Sequence, residues 1–167
     1  MTLTPRGLPY PEPTAPVSAG ANDIKALAQA IDPKLGQEFG YREIVAPVAV
    51  AGVAGAQTLV IPAIALTCDG TTAMLFEFFA PLGTTGAGGQ LLFTLFEGSS
   101  AGLGLLGGMI LTAGLGVPVH CQRRWAPPAG PHNFAVYAYV NSGSGNVSAG
   151  PGGAGNYDPA FLRITKA

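Results

Sequence analysis

This chain has little charge: Asp, Glu, Lys and Arg make up 10% of its 167 residues, against roughly 25% in an ordinary soluble domain. A surface so poor in charge keeps a lone protein in solution badly. Part of it is therefore expected to be covered by copies of the same chain or by other chains. The net charge is −1 and there is no run of Lys or Arg, which excludes nucleic acid as the main partner because counterion-driven binding needs a basic surface. Cysteine is scarce too. Cys68 and Cys121 are the only two, and in a reducing compartment buried free thiols are expected rather than a bridge. Met1–Pro16 has no apolar signal core and no lipidation pattern, so the chain is expected to be made and kept in the cytoplasm.

The constellations of catalysis are missing as well. Carboxylates are few and scattered, Glu77 and Glu97 among those inside or ending a candidate strand, and no acid–base pair is indicated. Ser144 and Ser148 lack the glycine pattern of a nucleophile elbow. His120, Cys121, His132 and Cys68 carry zinc-binding atoms, but His120 and Cys121 are adjacent, so on a strand they point to opposite faces and no metal site is expected. GPGGAG, Gly150–Gly155, has the letters of a dinucleotide fingerprint, yet the following NYDPAFLRITKA reads as turn and strand. No helix N-terminus would meet a pyrophosphate there. We read a glycine-rich loop, no cofactor and no enzyme. Asn146-Val147-Ser148 is a glycosylation sequon, expected to carry no meaning because no secretory signal is read in Met1–Pro16.

Two stretches without charge, Ile44–Cys68 and Gly98–Val119, are long enough to span a bilayer. Pro47, Pro62, Gln57 and Thr58 interrupt the first and seven glycines the second, with no flanking aromatic or basic anchors. Strands broken by turns explain both, and no membrane partner is expected.

What is abundant is glycine and proline, 25 and 15 residues, both above their usual shares. Pro5, Pro9, Pro11, Pro13 and Pro16 fix φ and remove donors along Leu3–Pro16, so this segment runs extended, near polyproline II. A stiff segment loses little entropy on docking, and Leu8 and Tyr10 offer side chains to bury, so it reads as an anchoring arm rather than a loose tail. One helix follows in SAGANDIKALAQAIDP, capped by Ser18 or Asn22 and stopped by Pro33. Val17, Ile24 and Ile31 recur every seven residues with Leu27 between them. That stripe suits a short coiled-coil seam and equally a helix lying on its own domain. Residues 1–40 are thus the arm and helix, and 41–167 the domain.

From Tyr41 onward short apolar runs are cut by Gly, Pro, Thr and Ser, which is all-β grammar. The runs are Tyr41–Val50, Gln57–Thr67, Ala73–Ala80, Gln90–Glu97, Leu105–Thr112, Val117–Trp125, His132–Asn141 and Ala160–Lys166, with a weaker one at Asn146–Ala149. Met74, Phe76 and Phe78 share a face, as do Leu91, Phe93 and Leu95, and Phe134, Val136, Ala138 and Val140. Opposite them stand Glu77, Thr94, Tyr137 and Tyr139. Eight strands apolar on one face predict two packed sheets, a jelly-roll-like β-sandwich. Arg123, Arg124 and Trp125 stand out in so uncharged a chain. They form either a contact patch or, as we prefer, a strand end where Trp125 packs and the arginines face water.

Two segments, RGLPYPEPTAPVSAGANDIKALAQAID (Arg6–Asp32) and SAGPGGAGNYDPAFLRITKA (Ser148–Ala167), resemble a family of virion proteins of phages that infect actinobacteria. They cover under a third of the chain. The resemblance implies a Pro-rich arm and helix before a β-sandwich, and a minor tail protein, head fibre or capsid decoration protein. It implies no catalytic residues. The expectation is a capsid decoration protein on the outer shell, held by the arm to the major capsid protein or other virion proteins and by self-association into a trimer or dimer. The alternatives are a minor tail or fibre-tip protein and, more distantly, a carbohydrate-binding module stacking sugars on Trp125, Tyr137, Tyr139 and Tyr157.

Overall fold

The computed structural model describes residues 2–3, 9–10, 24–27, 37–50, 57–86, 88–98, 101–110 and 116–167. The chain divides into two units, Met1–Gln37 and Glu38–Thr165. In the first, Thr2–Leu3 (β1) and Pro9–Tyr10 (β2) pair antiparallel, and 24–27 form a short helical turn. Ile24 is exposed and Leu27 half-buried. Leu8, Val17, Ile31 and the rest of the expected arm and helix lie outside the described residues.

The second unit is all β. Its strands are Glu38–Ile44 (β3), Val48–Val50 (β4), Thr58–Asp69 (β5), Met74–Thr85 (β6), Gln90–Glu97 (β7), Ala101–Ile110 (β8), Gly116–Trp125 (β9), Ala129–Val140 (β10), Gly145–Ser148 (β11) and Ala160–Lys166 (β12). One sheet has the order β5-β10-β7-β8; the other runs β3-β12-β6-β11-β4, with β9 also on β6. Pairing with β9 occupies one edge of β6 from Met74 to Thr84, so β11 and β12 must share the other edge in turn. β3 and β4 then flank β12 and β11 respectively. Each of these two lines is one interrupted strand. Counted that way the described strands of this unit number eight, and the sheets read 1-8-3-6 and 2-7-4-5, all antiparallel, which is jelly-roll topology.

The interruptions have local causes. The run expected as Tyr41–Val50 is two strands, parted at Val45–Pro47, because Pro47 has no N–H to donate to a ladder. Between β11 and β12 the chain leaves the sheet through the GPGGAG loop. There Gly150 N–H donates to Asp158 O and Gly152 N–H to Tyr157 O. Gly152, Gly153 and Gly155 take φ of 76°, 87° and 80°, and a Cβ on Gly150 would stand 2.5 Å from the Tyr157 carbonyl oxygen. The glycines serve this tight excursion, and the residues after it, Ala160–Lys166, form a strand and not a helix.

Inward faces carry the core that alternation predicts. Phe76 and Phe78 of β6 meet Phe134 of β10 and Phe93 of β7, at ring centroid distances of 4.9 and 4.8 Å, across the gap between sheets. All four are fully buried, with Ile61, Leu91, Leu95, Leu162 and Ile164 around them. Burying each such ring contributes about 1.5–3 kcal/mol, and each aromatic pair about 0.5–1.5 kcal/mol more. Cys68 and Cys121 are free thiols, one buried and one half-buried. Burial pushes both thiols up from their ordinary value, with Asp69 and Glu97 adding to the effect at Cys68. Among the described residues no helix is long and apolar enough to cross a membrane; Ile44–Cys68 and Gly98–Val119 fall on strands and their connections where described.

The β5–β6 turn is tied by Asp69. Its Oδ1 accepts the N–H groups of Thr71 and Thr72, both at 2.7 Å, and its Oδ2 accepts the Thr72 hydroxyl at 2.6 Å. The Thr72 hydroxyl bond first, then the backbone donors, hold this carboxyl well below the usual carboxylate range. On acidification the unfolded chain therefore takes up a proton at this residue before the folded one does. Stability is whole above about pH 4 and declines as pH falls further. Chemical denaturation at pH 6 and pH 3 should show a smaller loss between the two pH values for Asp69→Asn than for the parent. In the other loop, Gly150→Ala should lower the melting temperature, destabilising the fold by about 2 kcal/mol; an unchanged melting temperature would contradict the close approach to Tyr157.

Candidate functional site

The outward face of the β5-β10-β7-β8 sheet is shaped by β5. Strand alternation lapses twice there: Val60 and Ile61 are consecutive and both buried, and Pro62 and Ala63 are consecutive and both exposed. The pairing explains this. Phe134, Val136 and Tyr137 of β10 face Ile64, Ile61 and Leu59 of β5, so β5 carries an extra residue at each of two successive bulges. Bulges re-aim side chains, and these two open a shallow groove of about 470 Å³ lined by Leu59, Pro62, Ala63, Gly98, Asn133, Ala135 and Tyr137. The Phe96 ring lies 4.7 Å from that of Tyr137, and Leu92 and Tyr139 continue the face, paired across β7 and β10. Leu59 is 44% exposed. Among the described residues with assigned burial, no ionisable carboxylate, Lys or Arg stands on this face before Asp69 at the end of β5.

The opposite outward face, built by β3, β12, β6 and β9, differs in kind. Register sets Phe79 beside His120 and Glu77 beside Gln122. On the other side of β6, Phe161 and Arg163 of β12 face Glu43 and Tyr41 of β3. Tyr41, Phe161 and Phe79 form a row with two centroid steps of 5.5 Å. Polar groups border it. Glu77 Oε1 accepts from His120 Nε2 at 2.7 Å and Gln122 Nε2 at 3.2 Å, Arg163 Nε donates to Glu38 at 2.9 Å, and the Tyr41 hydroxyl donates to Glu43 at 2.7 Å. The His120 bond holds the Glu77 carboxyl below its ordinary value despite partial burial. Burial and the bond to Glu43 push the Tyr41 hydroxyl up to about 12.

At one end of the core His132 is buried, stacked on Phe134 at 5.6 Å. Its Nδ1 meets Glu97 and its Nε2 meets the Pro128 carbonyl at 2.8 Å, so both ring nitrogens face acceptors. Trp125 closes this end edge-on, 6.5 Å from His132 and 6.0 Å from Phe134. The structure thus pairs His120 with Glu77 and His132 with Glu97, an arrangement that depends on strand register and left no mark in the sequence.

Of the residues singled out from sequence, Trp125 packs on the core, Arg123 is half-buried on the same inward side, and Arg124 faces outward, exposed, opposite Leu75. The three make no common patch. His120 points outward and Cys121 inward. Tyr137 and Tyr139 share the outward face of the four-stranded sheet, while Tyr157 sits half-exposed in the glycine-rich excursion, so the four proposed stacking residues do not converge. Sequence reading missed the groove and the Tyr41–Phe161–Phe79 row; a proline inside the apolar run Gln57–Thr67 was the one signal for the former.

No protein-family model matches the chain, and no curated protein does. Among solved structures it is similar to the carbohydrate-binding module CBM6cm-2 from Cellvibrio mixtus lichenase 5A, in complex with cellotriose: 21% identity, 78% of this chain and 90% of that chain covered, TM-score 0.29.

The placement of Trp125 and Arg124 separates packing from surface. Trp125→Ala should destabilise the fold by about 3 kcal/mol, and Arg124→Ala by less than about 0.5 kcal/mol, in urea unfolding; equal effects would contradict the strand facing described.

Proposed function

We propose that the chain is a non-enzymatic structural protein of a tailed-phage particle, a jelly-roll knob that meets further copies of itself through the uncharged face of its four-stranded sheet and grips the shell through its N-terminal arm. The observation that carries this reading is the asymmetry of the two outward faces. One is bordered by paired ionic groups; the other presents Leu59, Pro62, Ala135 and Tyr137 around a shallow groove. Uncharged apolar surface of that kind is stable in water when a neighbour covers it, and aromatic side chains on such a surface act as anchors at interfaces. The low overall charge and the resemblance of Arg6–Asp32 and Ser148–Ala167 to phage virion proteins support the same reading. The capsid exterior is the favoured place, where a clamp bridging shell subunits resists the pressure of packaged DNA.

Sedimentation of the purified chain should reveal a dimer or trimer that Leu59→Lys and Tyr137→Lys convert to monomer without loss of fold. A parent chain that sediments as a monomer overturns self-association through this face. In particles, deleting Met1–Pro16 should leave a folded knob that fails to incorporate. Immunogold label over the head supports decoration; label confined to the tail moves the protein to a tail or fibre tip.

A further inference from the structure

The second outward face has no role in that reading, yet it combines three features that seldom meet by accident of folding. Tyr41, Phe161 and Phe79 place three rings in file across three strands, in two steps of 5.5 Å, with Tyr41 45% exposed. Hydrogen-bonding groups border the file, and most are already held by a neighbour: Glu77 by His120 and Gln122, Arg163 by Glu38, Glu43 by Tyr41. The holding is partial. Glu77 uses Oε1 for both of its partners and Arg163 uses Nε, which leaves Glu77 Oε2 and the Arg163 Nη atoms for an outside partner. Charge is close to balanced, since Glu38, Glu43 and Glu77 stand against Arg124 and Arg163.

We propose that this face is a binding platform for a neutral oligosaccharide, its sugar rings lying on Tyr41, Phe161 and Phe79 and its hydroxyls bonded by Glu77, Gln122 and Arg163. The chemistry of the occupant follows from the mixture. A pyranose has an apolar C–H face for an aromatic ring and, at its rim, hydroxyls that both donate and accept, which suits carboxylate and guanidinium groups interleaved with rings. A protein partner burying the same surface would have to desolvate the Arg163–Glu38 and Glu77–His120 pairs, at a cost that their mutual attraction does not reliably offset. The near balance of charge complements an uncharged ligand and offers no excess of one sign to an acidic polysaccharide.

The test uses the full chain on an array of neutral and acidic glycans, followed by calorimetry with maltotriose, N-acetylchitotriose and any array hit, at concentrations reaching the millimolar range. Saturable binding of at least one neutral glycan is expected, weakened roughly tenfold by Tyr41→Ala and by Phe79→Ala and also by Gln122→Ala, while Tyr157→Ala, in the glycine-rich excursion away from both faces, leaves it unchanged. Tyr41 and Gln122 are exposed, so their variants keep the test decisive if Phe79→Ala folds poorly. Retention of acidic glycans alone, binding of none, or binding that survives Tyr41→Ala, Phe79→Ala and Gln122→Ala overturns the proposal. Particle incorporation is read separately, so the platform and the assembly role stand or fall apart.

Discussion

The contact on which this architecture depends is the pair of aromatic junctions between the sheets, Phe76 with Phe134 and Phe78 with Phe93. Two twisted sheets can slide on a layer of small aliphatic side chains; interlocked rings at two successive inward positions of β6 fix where that strand lies over β7 and β10. β6 in turn carries β9 on one edge and β11 and β12 on the other. Once its seat is set, so are the rows of side chains on the outer surface. The register that puts Phe79 beside His120 and Glu77 beside Gln122 is thus inherited from the core.

From this follows a division of labour between the outer faces. In the four-stranded sheet the edge strand β5 absorbs two extra residues, and the bulges turn Pro62 and Ala63 outward while keeping Val60, Ile61 and Ile64 in the core. A strand bent that way gives up part of its ladder and gains a depression beside Tyr137. In the other sheet β6 and β12 present alternate rings and charges, and the ionisable side chains are concentrated there. Among the described residues the few charges of this chain are unevenly placed, and the two outer faces differ accordingly.

Much of the fold is legible in the sequence because strand periodicity is a local property. Gln90–Glu97 and Ala160–Lys166 stand where alternation and their bounding turns put them, and Met74, Phe76 and Phe78 are buried as their spacing implies. The sites are not legible in the same way. Tyr41, Phe79 and Phe161 are far apart in sequence, and only pairing between strands, which composition does not encode, brings them into file. From sequence, Trp125 is expected to pack and both arginines to face water; Arg124 is exposed, but Arg123 is half-buried on the inward side with Trp125, because residues two apart on a strand share a face. The bulges in β5 announce themselves only as an apolar run, VIPA, too regular in hydrophobicity to alternate.

Three of the four sheet borders contain a proline: Pro62 in β5, Pro118 in β9 and Pro47 between β3 and β4. Each lacks the amide hydrogen that a ladder uses, and in β5 the bulges bend the border as well. Molecules of this shape are poorly suited to joining side by side into endless ribbons. Such borders disfavour the growth of fibrils by strand addition, since each new ladder would start with a missing donor.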